Sequence, residues 1–252
     1  MSKIIDFLKK NLWFIIFLAI SGAIGGYFTG VYTVQTYDPE LLEEVIAQVG
    51  STDVLILITA VQSVGYALFC GLVGRILAEK IGLWRKLDIK LRPIASVVAV
   101  SILCGCVMIL SDLLFFNNFS DTLKDSYLIK PTIEYIIASV TYGGVVEEMM
   151  LRLFFMSLIA FVLMKLTKRT EPTTTQIIVA NIISAVLFAA AHLPATIMTM
   201  EVNAMIIFRC FLLNGGIGLL FGRLYRRYGI QYAVLAHIGT HIISKIIWIL
   251  LV

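Results

Sequence analysis

Residues 147–152 read Glu-Glu-Met-Met-Leu-Arg inside an apolar stretch, and the chain's three histidines, His192, His237 and His241, also sit in apolar stretches. Ionisable groups at bilayer depth are expensive, roughly 2.5–3.5 kcal/mol each for Asp, Lys or Arg on insertion scales. A chain that keeps its histidines there is arranged for acid–base or metal chemistry. On a helix, Glu148 and Arg152 stand at i,i+4 and share a face. Arg152 can then neutralise and orient Glu148. Glu147 lies about 100° round the helix and is free to face a cavity. Two close carboxylates push one pKa upward, which suits a general base or acid.

His192 closes the run Phe188-Ala-Ala-Ala-His192, where three small residues allow close helix approach, and Pro194 follows. His237 and His241 stand at i,i+4 on one face, a spacing that can bind one metal or serve one substrate group. The bland alternatives are an internal ion pair for Glu148 and Arg152, and a hydrogen-bonded core residue for any single histidine. Cys70, Cys104, Cys106 and Cys210 fall in apolar runs and read as small core residues. Cys104-Gly-Cys106 lacks the two-residue spacer of a redox or zinc pair.

The elements that must position these groups are membrane helices. The 252 residues are 60% hydrophobic and only 14% charged, against about 25% charged in soluble domains. Seven apolar stretches emerge, at about 12–34, 54–78, 93–116, 132–166, 177–200, 203–224 and 231–251. The expected fold is all-α, a polytopic membrane helix bundle of about seven or eight membrane segments. It forms one transmembrane domain, with N-terminal spans over 1–131 and the polar set over 132–252. The first stretch exceeds a signal-peptide core and reads as a retained span.

Basic residues alternate by connection. Lys3, Lys9 and Lys10 precede the first span, and Lys80, Arg85, Lys86, Lys90 and Arg92 follow the second. Lys165, Lys168 and Arg169 follow the fourth, and Arg223, Arg226 and Arg227 follow the sixth. The opposite connections carry only Lys124 and Lys130, so the N-terminus is expected in the cytoplasm. Residues 132–166 would make a helix of about 50 Å against a hydrocarbon core of about 30 Å. Gly143-Gly144 interrupts this stretch, so a bend, tilt or re-entrant start is expected there. Matching the depths of His192 and His237 requires the fifth span to begin effectively near Ile182. The polar set then sits between the cytoplasmic half and the middle of the bilayer. Arg209 and Lys245 read as packing pairs or as partners for a substrate carboxylate.

Three motifs carry a resemblance over residues 140–251. Glu147-Glu148-x-x-x-Arg152, Phe188-x-x-x-His192 and His237-x-x-x-His241 resemble the motifs of the CAAX-protease and bacteriocin-processing (Abi) family of intramembrane endopeptidases. The approach Gly218-Leu-Leu-Phe-Gly222, with Tyr225-Arg-Arg-x-Gly229, is similar too. The family's last motif position is usually Asn, and here it is His241. The resemblance implies a peptidase in which Glu147 is the base, with His192 its partner in holding a water. His237 and His241 would then donate to the oxyanion, and Arg152 would orient Glu148. It also implies either no cofactor or a zinc ion, with Glu147, His192, His237 and His241 as candidate ligands. The implied partners are the lipid bilayer and a peptide or prenylated-protein substrate, with no nucleic acid, in a prokaryotic cell membrane. The alternative is a non-proteolytic transporter, ion-binding, immunity or scaffold protein using the same polar cluster.

Overall fold

The structure, a computed structural model, describes residue 6 and residues 9–251. Lys3 of the basic N-terminus lies outside the described residues. The chain is all-helical, with no strand among the described residues. Seven helices are long and apolar enough to cross a membrane, and the protein is a multi-pass membrane protein. They are α1 (Leu12–Thr36), α3 (Thr52–Lys80), α4 (Leu91–Leu114), α6 (Ile133–Leu166), α7 (Thr174–Thr199), α8 (Ala204–Tyr228) and α9 (Ile230–Leu251). Two short helices, α2 (Pro39–Val49) and α5 (Asp121–Ser126), lie in connections.

Side-chain caps set where these helices begin. Ser51, Thr132 and Asn203 accept backbone N–H bonds at the starts of α3, α6 and α8. At α7, Thr173 and Gln176 form a reciprocal capping box, which satisfies two of the N–H groups a helix start leaves open. The helix therefore starts at Thr174, eight residues before the effective start near Ile182 expected from depth matching. Large apolar side chains such as Trp13, Leu57, Val61 and Phe69 are exposed. On a membrane bundle this surface belongs against lipid.

The site is assembled where α6 packs against α3, α7 and α9, with α4 behind α9. Helix α6 runs on without interruption through Gly143-Gly144. The chain neither breaks nor re-enters there. Its winding changes instead, to a π-helix over Ser139–Glu147 and again over Met149–Met156. A π-turn spends more residues per turn than an α-turn, so α6 is wider and shorter than an α-helix of equal residue count. Helix α8 carries a third π-wound stretch at Phe211–Gly216. Such stretches are rare and gather at functional sites.

Hydroxyl bonds pin the frame. Ser184 Oγ donates to the Leu151 carbonyl at 2.6 Å, tying α7 to α6 beside Arg152. Ser157 and Tyr225 hydroxyls meet at 2.7 Å between α6 and α8, and Ser101 Oγ donates to the Ala236 carbonyl between α4 and α9. On the side away from the basic connections, the Glu201 carboxylate accepts from the Ser120 hydroxyl and from Thr122 Oγ1, the latter at 2.7 Å. Asn203 Nδ2 donates to the Phe119 carbonyl at 2.7 Å.

Candidate active site

The two adjacent glutamates of α6 serve two different helices. Glu147 is partly exposed and faces α7, its Oε1 3.7 Å from His192 Nε2. Glu148 is wholly buried and faces α9, its Oε1 3.0 Å from His237 Nδ1. The same oxygen lies 3.1 Å from Arg152 Nη1. The expected Glu148–Arg152 pair therefore forms, and it gains His237 as a third member. That is a departure from sequence, which placed His237 with Glu147.

The rings share a wall. Phe188 is edge-on to His192 at 4.6 Å and to His237 at 6.3 Å, so it stands between the two pairs. Arg152 lies over Phe188 and Phe221, 4.8 and 5.7 Å from their centroids, the geometry of a cation–π contact. Phe221, His237 and His241 stack in a column, with centroid separations of 4.5 and 4.8 Å. Two glycines make room. A Cβ at Gly218 would stand 2.5 Å from Arg152 Nη2, and one at Gly143 would stand 2.8 Å from His241 Nε2. Phe221 and Gly218 are site residues that periodicity did not flag. Their only sequence signal was the Gly218–Gly222 segment of the resemblance.

Hydrogen bonding fixes one tautomer. The Phe188 carbonyl can only accept, and His192 Nδ1 lies 2.9 Å from it. Nδ1 therefore donates, which leaves Nε2 of the neutral ring as an acceptor aimed at Glu147. The buried triad is less complete. Glu148 Oε2, Arg152 Nη1 and Nη2, and His241 Nδ1 are buried without a hydrogen-bond partner. The Arg152–Glu148 contact is an ion pair whose angle falls outside hydrogen-bond geometry. Buried polar groups are seldom left so, and four such atoms meet at this one place.

The zinc ligand set fits less well. Glu147 with His192 and Glu148 with His237 are separate pairs. Among the described residues no three His, Cys, Asp or Glu side chains gather closely enough to hold a metal. The side chains as arranged do not fit a zinc ion.

Residues 129–243 match the family model described as type II CAAX prenyl endopeptidase Rce1-like. This stretch is similar to an Rce1-like domain. It contains all three motifs, covers a little under half of the chain, and agrees with the resemblance read from the motif spacing. No curated protein and no solved structure matches the chain. The spans that precede the matched stretch supply α1 and α3, which pack on α6. Two clefts lie elsewhere. One of about 440 Å³ is lined by Glu79, Leu83, Pro172 and Arg226 at the basic connections, and one of about 460 Å³ by Tyr37, Met198 and Glu201 at the opposite ends of the helices.

A second polar cluster involves residues that sequence left as packing pairs. Arg209 makes two contacts of 2.6 Å with the buried Asp112 carboxylate, one from Nε and one from Nη2. Tyr127 donates its hydroxyl to Asp112 Oδ2 at 2.8 Å. Sequence showed Arg209 as a buried charge but gave no partner for it.

Proposed function

We propose that the protein is an intramembrane endopeptidase that uses a water activated by Glu147 and His192. The observation that carries this reading is the pair of acceptors, Glu147 Oε1 and His192 Nε2, facing each other at 3.7 Å on the accessible side of a buried ion-pair triad. That separation is too long for a direct hydrogen bond. A water donating one proton to each acceptor would be polarised from both sides. Glu147 then takes the proton as the water oxygen attacks the scissile carbonyl, and returns it to the amine nitrogen as the oxyanion collapses and the C–N bond breaks.

The triad supplies the complementary charge. Glu148 and Arg152 together are neutral. A His237 that carries both ring protons brings the triad to +1 and points Nε2–H at a developing oxyanion, with His241 stacked beside it. Preorganised donors of this kind contribute through the low dielectric of a water-poor site. No step requires a metal, and the chemistry is derived from these side chains alone.

The substrate proposed is a membrane-held peptide tail, with a prenylated CAAX C-terminus first in line because of the matched domain. The basic connections would face the cytoplasm, with Glu147 and His192 opening toward that side or toward lipid. The deciding experiment is proteolysis of lipidated and unlipidated peptides by protein purified in nanodiscs, with a Glu147→Ala control. Cleavage that disappears in the variant supports the reading. An inert wild type that instead moves an ion or a solute across a sealed vesicle supports transport.

A further inference from the structure

Helix α9 presents a third ionisable residue on the face that carries His237 and His241. Lys245 follows at the next i+4 position and is 4% exposed. All three face α6: His237 meets Glu148, His241 meets Gly143, and Lys245 lies over the Tyr135 ring, 4.0 Å from its centroid. Trp248 closes the same corner. Its ring is 5.6 Å from Lys245 Nζ and 4.6 Å from the Tyr127 ring, and its Nε1 donates to the Ile129 carbonyl at 3.0 Å.

Lys245 has no carboxylate within ion-pair distance among the described residues. The neighbouring Asp112 is already committed to Arg209 through both of its oxygens. The cluster therefore holds two cations against one anion, and a buried charge is expensive unless paired. Aromatic faces offset part of that cost. The Tyr135 hydroxyl, which also interacts with Lys245, offsets more of it, but no carboxylate among the described residues joins the pair. Lys245 also lies beyond the matched stretch, which ends at residue 243.

We propose that Lys245 binds the free C-terminal carboxylate of the peptide substrate, and so limits cleavage to bonds a few residues from a chain end. This rests on the peptidase reading for the identity of the occupant. The spacing supports it. Eight residues separate His237 from Lys245, about 12 Å along a helix, which an extended peptide covers in about three to four residues. The tail would lie along α9 with its C-terminus pointing away from the basic connections.

The test compares one lipidated peptide as its C-terminal acid and as its C-terminal amide. Binding and cleavage are both measured, in nanodiscs, for wild type, Lys245→Gln and Lys245→Arg. A hydrogen bond to a charged group makes the acid the better ligand by about tenfold or more. That ratio should fall toward one in Lys245→Gln and persist in Lys245→Arg. Equal binding of acid and amide by wild type overturns the proposal whether or not the variants fold, and so does a preference that survives Lys245→Gln. Equal binding together with Lys245-dependent stabilisation by phosphatidylglycerol assigns the cation to a lipid phosphate and overturns it too. Acid-selective binding without any cleavage supports the carboxylate site and overturns the peptidase reading.

Discussion

His237 Nδ1 lies 3.0 Å from Glu148 Oε1, while Glu147, one residue earlier, turns to His192 on another helix. Neighbouring carboxylates thus differ in burial and in partner. Glu147→Gln should lower peptide hydrolysis by roughly 10²–10⁴-fold, the range for a lost general base, and leave thermal stability nearly unchanged. Glu148→Gln should lower both, because it leaves Arg152 buried without its counter-charge. Turnover and melting temperature measured side by side check this. Equal stability loss in the two variants would refute the division of roles.

Arg152→Ala strands Glu148 at full burial. Breaking a buried pair in this way costs about 3–5 kcal/mol, and the contacts of Arg152 with Phe188 and Phe221 go with it. Thermal unfolding in detergent should show the loss. Arg152→Lys keeps the charge but not the planar fork and should recover only part of it. An Arg152→Ala protein of wild-type stability and activity would contradict the ion-pair assignment.

His241→Asn restores the residue most often found at this motif position. If His241 serves as a hydrogen-bond donor, activity persists, since an amide also offers an N–H. Metal analysis of both proteins provides the counter-test. Stoichiometric zinc in wild type, lost with activity in the variant, would show that His241 is a ligand and that the side chains rearrange to hold the ion.

Glu201, outside the spans, has its carboxyl pushed down to about 2 by hydrogen bonds from Ser120 and then from Thr122. A depressed carboxylate contributes stability above its unfolded value of 4.5 that is lost as pH falls toward 2. Protection of the amides in residues 120–126, taken relative to their intrinsic exchange rates, should therefore fall on acidification through that window. In Glu201→Gln it should be low already at neutral pH. An unchanged exchange rate in the variant would dismiss the lock.

Much of this molecule is legible in its sequence because hydrophobic length and motif spacing are local properties. The seven apolar stretches correspond to α1, α3, α4, α6, α7, α8 and α9, and Glu148 to Arg152 is an i,i+4 relation. What stayed hidden depends on neighbours. The π-winding of α6 follows from how it fits against α3, α7 and α9, and residue preference does not announce it. Whether His237 meets Glu147 or Glu148 is set by the rotation of α9 against α6. Arg209 was visible as a costly charge, but its choice of Asp112 is a contact across 97 positions of chain.

The winding of α6 also makes this helix intolerant of changes in length. Two consecutive side chains reach different neighbours, and the π-turns around them set which neighbour each one faces. Removing one residue between Ser139 and Glu147 would rotate everything on one side of the deletion by about 100° relative to the other at α pitch. Glu148 and Arg152 could then keep their partners only if residues 133–138 gave up theirs, Tyr135 against Lys245 among them. Loops in such a protein can drift in length. This segment can change only by substitution.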